Sequence, residues 1–95
     1  MALANYANGL TTVGTSPTLI CSVDPESGGV LVQNTGSAAV FVGGADVAAS
    51  GAYTGISVAA SATLLIPSIG GTAHELYGIV ASSTQTVAWL YPEAG

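Results

Sequence analysis

Hydrophobic positions along this chain fall in short runs separated by Gly, Ser, Asn and Pro. The runs are rich in Val, Ile, Leu, Thr and aromatic residues, which suits half-buried strands. They predict strands over Thr18 to Val23, Gly29 to Asn34, Ala38 to Gly43, Ala45 to Ala48, Ile56 to Ala59, Ala62 to Pro67, Glu75 to Ala81 and Thr86 to Tyr91. No window carries a capped helical period, and only 48–52 could hold a single helical turn. Many short strands with turn residues between them predict an all-β fold, a small antiparallel sandwich or barrel of jelly-roll-like kind.

Two stretches look like hairpins. Asn34-Thr35-Gly36-Ser37 would turn Val30–Gln33 back on Ala39–Val42, with Gly36 supplying a positive φ and Asn34 bonding its own backbone. Ser82-Ser83-Thr84-Gln85 would likewise return Leu76–Val80 through Val87–Tyr91. Both faces of these strands are apolar: Leu76, Gly78 and Val80 point one way, Tyr77, Ile79 and Ala81 the other. A strand apolar on both faces needs two covers. One is the opposing sheet, and the expected second is a neighbouring chain.

Residues 1–16 differ from the rest. MALANYANGLTTVGTS is small and polar, with Leu3, Tyr6, Leu10 and Val13 as isolated apolar points. The expectation is an extended N-terminal arm ahead of a domain over 17–95, either a frayed terminus or, on the sharper reading, a segment docking on a neighbour by its apolar points or by strand addition.

Composition narrows the function. Of 95 residues, 49% are hydrophobic and 5% charged, and Lys and Arg are absent, leaving a net charge of −5. Phosphate backbones and anionic membranes are gripped by Lys and Arg, so neither nucleic acid nor a membrane surface is an expected partner. No run approaches the ~20 apolar residues of a membrane helix, and MALANYANGL lacks the positive start of a secretory signal. The lone Cys21 excludes an intrachain disulfide and reads as a buried, inert thiol.

Candidate chemistry is sparse. His74 and Glu75 are adjacent in a predicted strand and point to opposite faces, so they do not form an acid–base unit. No second His or Cys offers zinc spacing, and Asp24-Pro25-Glu26-Ser27-Gly28 reads as a turn rather than a calcium loop. No Gly-x-Ser-x-Gly elbow is present. The chain is therefore expected to be no enzyme and to use no cofactor. Tyr53, in a glycine-flanked loop, and Trp89 with Tyr91, in the last strand, are the possible ligand contacts.

The segments Val32-Gln33-Asn34-Thr35-Gly36-Ser37, Val40-Phe41-Val42-Gly43-Gly44, Asp46-Val47, Gly51 and Leu76-Tyr77-Gly78 form a pattern of turns and strands. Across roughly Gly29 to Leu90, this pattern resembles small β-sandwich structural proteins of tailed bacteriophages. The resemblance implies a virion protein, either a capsid decoration (cement) subunit or a module of a tail or fibre protein. The short length favours decoration. It further implies homotrimers at local threefold positions, the major capsid protein as partner, and an N-terminal segment on the shell. The location would be the outer capsid surface, after synthesis in the host cytoplasm.

On that reading, inter-subunit packing is expected at Val30, Val32, Phe41, Val42 and Leu65, and capsid contact at Leu3, Tyr6 and Leu10. The alternatives are a tail-tip or fibre module binding host glycans through Tyr53, Trp89 or Tyr91, and a tail-tube subunit.

Overall fold

The computed structural model describes residues 5–23, 29–67 and 74–92. Eight strands follow in chain order: β1 (Tyr6–Val13), β2 (Thr18–Val23), β3 (Gly29–Asn34), β4 (Val40–Gly43), β5 (Ile56–Val58), β6 (Thr63–Pro67), β7 (His74–Ile79) and β8 (Gln85–Pro92). They form two four-stranded antiparallel sheets, ordered β1-β8-β3-β6 and β2-β7-β4-β5. The chain passes from one sheet to the other at every connection except β4 to β5, and this strand order is that of a jelly roll.

Neither expected hairpin forms. β3 pairs with β6 and β8, while β4 pairs with β5 and β7, so Asn34–Ser37 carries the chain across the sandwich. The Ser82–Gln85 segment does the same between β7 and β8. The two crossings lie against each other, because β3 pairs with β8 in one sheet and β4 with β7 in the other. Asn34 pins the first crossing. Its Nδ2 donates to the Ala38 carbonyl at 2.7 Å and the Val58 carbonyl at 2.9 Å, and its Oδ1 accepts from Gly36 N–H at 2.9 Å. Gly36 is there for space rather than for a positive φ. A Cβ on it would meet the Gln85 side chain, whose Oε1 accepts from Ser37 N–H at 2.9 Å.

The expected arm is largely a strand of the domain itself. Residues 6–13 pair along their whole length with β8, from Tyr6↔Pro92 to Val13↔Gln85. Gly9 makes this possible, since a Cβ there would lie 2.8 Å from the Trp89 ring beneath it. The expected strand over Ala45 to Ala48 is instead part of the loop between β4 and β5, closed by a single bridge of Ala48 with Thr54.

Valines fill the space between the sheets: Val13, Val30, Val32, Val40, Val58 and Val87 are all fully buried. β-branched side chains fit a pleated surface, and one interdigitated layer spans two sheets ~10 Å apart. The body measures 47 × 24 × 16 Å, two sheets thick and no more.

Candidate functional site: the outer face of the β1-β8-β3-β6 sheet

Strand register places the outward side chains in rows. Asn8 lies opposite Leu90, Leu90 opposite Leu31, and Leu31 opposite Leu65. In the next row Leu10 faces Ala88, Ala88 faces Gln33, and Gln33 faces Thr63. Tyr6 stands beside Pro92 at the end of the face. Inward residues of the same strands are the core valines and Asn34, so the leucines at alternating positions must point out.

The face is strongly apolar for a solvent surface. Leu10 is 70% exposed, Leu65 62% and Tyr6 61%, with Leu31 and Leu90 near 40%. Four strands at ~4.8 Å spacing, crossed by about 20 Å of strand length, give a plan area of roughly 300 Å². That area also holds Asn8, Gln33 and Thr63, so its apolar part is on the scale of the largest patch a monomer ordinarily shows, which is often a functional surface. Ala88, small between Leu10 and Gln33, leaves a shallow depression of about 400 Å³ at its centre. Among the described residues no charged one stands on this face. Among the described residues the carboxylates are Asp46, in the loop after β4, and Glu75, in β7 of the other sheet.

The expected site residues divide between core and surface. Val30, Val32 and Val42 are at most 3% exposed and belong to the core of one molecule, which removes them as inter-subunit contacts. Phe41 is half-buried beside Ile79 on the outer face of the β2-β7-β4-β5 sheet. Leu65, Tyr6 and Leu10, expected in two different interfaces, share the apolar face just described. Leu3 and the Asp24–Gly28 turn lie outside the described residues.

Leu31 and Leu90 complete the face. The sequence signal for them is alternation: each stands between two inward-facing residues, the buried Val30 and Val32 or the half-buried Trp89 and Tyr91.

Trp89 and Tyr91 do not form an external platform. Their rings stack at 5.8 Å with an interplanar angle of 17° and pack against the core. Trp89 Nε1–H donates to Thr11 Oγ1 at 3.3 Å, and that hydroxyl donates to the Ile20 carbonyl at 3.1 Å, joining the sheets at one corner. Tyr53 stands elsewhere, 72% exposed, in an open cleft at the β4–β5 loop that Asp46 also lines.

Cys21 is buried, and burial pushes its thiol up to about 11. His74 and Glu75 are both exposed at the start of β7. Among the described residues no three His, Cys, Asp or Glu side chains gather as metal ligands. Compared with known proteins, the chain matches no family model, no curated protein and no solved structure.

Proposed function

We propose that this chain is a non-enzymatic structural tile that coats a larger assembly, docking through the outer face of its β1-β8-β3-β6 sheet. The carrying observation is the row of exposed leucines, Leu90, Leu31 and Leu65, with Leu10 and Tyr6 beside it, on a face that carries no charge among the described residues. Such a face is poorly tolerated free in water and well suited to burial against a partner. Together with the resemblance to phage virion proteins, this supports a capsid decoration subunit on the outer surface of the shell, with the major capsid protein as partner. A subunit that binds only the assembled shell stabilises it by mass action, and many modest contacts on one lattice add through multivalency. The resemblance also implies three copies around a local threefold axis. With Val30, Val32 and Val42 in the core, contact between copies has to use other residues.

The test is co-sedimentation with assembled shells. Leu65→Glu places a charge at the β6 end of the leucine row while leaving the core untouched. It is expected to weaken shell binding more than tenfold, about the worth of one desolvated leucine. Leu65→Met is expected to bind as the unaltered chain does. Undiminished binding by Leu65→Glu would overturn the assignment of this face.

A second reading rests on Tyr53. An open cleft lined by an exposed ring and a carboxylate suits a neutral glycan, with ring stacking and hydroxyl donors to Asp46. Glycan binding lost in Tyr53→Ala would favour a tail-tip or fibre module.

A further inference from the structure

We propose that β1 is a docking edge for a second copy of this chain. Two molecules would add β1 to β1, antiparallel about a twofold axis, and merge their four-stranded sheets into one of eight strands. The inference concerns contact between copies and stands apart from the shell-docking reading.

Backbone phase identifies the unused groups. Thr35 N–H donates to the Thr86 carbonyl at 3.0 Å, which extends the β3–β8 register by one residue. Even-numbered residues of β8 therefore turn their N–H and C=O groups to β3, and odd-numbered ones turn theirs to β1. Through the β1–β8 register, Ala7, Gly9, Thr11 and Val13 bond to β8. The N–H and C=O groups of Tyr6, Asn8, Leu10 and Thr12 point the other way, out of the sheet. Among the described residues the edge closes past its end, where Val80 N–H donates to the Gly14 carbonyl at 3.0 Å.

Sheet edges in soluble proteins are normally guarded by charge, proline, a bulge or shortness. The other three edge strands here have such a guard. β2 is broken by a register shift between Leu19 and Cys21, β5 has 3 residues, and β6 has 5 and ends on Pro67, which has no N–H. β1 has 8 residues, a continuous register, and no proline or charge.

The occupant is a second copy for two reasons. An edge of alternating outward donors and acceptors is self-complementary in the antiparallel sense, and isologous contacts of this kind close as dimers. Each copy also carries a net charge of −5, so copies meet best where no carboxylate stands. Among the described residues the carboxylates, Asp46 and Glu75, belong to the other sheet and its loop, and β1 itself carries none. A head-to-tail ring of β1 on β6, the sheet-extending route to a trimer, would run into the short edge that Pro67 ends. Pairing also sets the Leu10 side chains of both copies near the axis, so two apolar faces become one continuous surface. An edge contact of this size is below a standard ~1,600 Å² interface, so the pair is expected to be concentration-dependent.

Sedimentation of the full chain across about 1 to 200 µM tests the proposal in the concentration range where weak pairs form. The expected result is a monomer–dimer equilibrium. Asn8→Pro and Leu10→Pro each remove an outward N–H without touching the β8 ladder, and should weaken dimerisation more than tenfold while the far-ultraviolet spectrum stays unchanged. Leu65→Glu should dimerise normally, so loss of shell binding and loss of pairing are separable. Hydrogen exchange on the unaltered chain is the second measurement, independent of whether the proline variants fold. The amides of Asn8 and Leu10 should gain protection as concentration rises. A monomer at every concentration, a trimer, pairing undiminished in a folded Asn8→Pro chain, or concentration-independent exchange at Asn8 and Leu10 would each overturn it.

Discussion

Cys21 shows how one residue's burial becomes a measurable property. Its thiol sits in the core cluster, and desolvation of the thiolate holds its pKa near 11. The folded molecule thus retains a proton that the unfolded chain releases near its ordinary value of 9.0. Where the native state binds more protons, stability falls as pH rises. The contribution of Cys21 is whole below about pH 9 and is lost progressively toward pH 11, on the order of 2–3 kcal/mol in total. Urea unfolding of the chain and of Cys21→Ala across that range should show a steeper alkaline loss in the unaltered chain. Iodoacetamide at neutral pH should modify Cys21 only after unfolding.

At the scale of elements, the crossing after β3 depends on Asn34. Its side chain is fully buried, and its amide ties β3 to the start of β4 and the end of β5. Asn34→Ala leaves the Val58 carbonyl without that donor and should cost about 2–4 kcal/mol in urea unfolding. Asn34→Asp should cost at least as much, because a carboxylate cannot donate to the Ala38 and Val58 carbonyls.

This element also marks the limit of what the sequence disclosed. Strand positions from Thr18 onward were legible from apolar runs and turn residues, apart from Ala45 to Ala48. Partners were not. Asn-Thr-Gly-Ser between two apolar runs serves a hairpin and a sheet crossing equally well, and only distant strands decide between them. β1 escaped notice for another reason: its inward positions are Ala7, Gly9 and Thr11, small because Trp89 fills the space beneath, so no apolar alternation appears. Of the docking face, Leu65, Tyr6 and Leu10 were singled out from the sequence, but in separate roles. Only the register of β1, β8, β3 and β6 shows that they adjoin Leu31 and Leu90.

The whole molecule is a slab 16 Å thin with one neutral apolar face, its described carboxylates on the other sheet and its loop. Among the described residues that face offers no charge pair to screen. Shell binding should therefore change by less than about twofold between 0.05 and 0.5 M salt, whereas a charge-steered contact would weaken steeply over that range. Titrations onto shells at several ionic strengths would measure this.

The position of β8 between β1 and β3 has a consequence for how the protein is made. Residues 85–92 must leave the ribosome before the oldest strand can find its neighbour, so the sheet cannot be laid down progressively during translation. A chain stalled short of Gln85 would carry β1 and β3 with no strand between them and a valine interior open to water. Quality control in the cell would meet such a nascent chain as an unfolded client, and the sheet can close only once β8 has emerged.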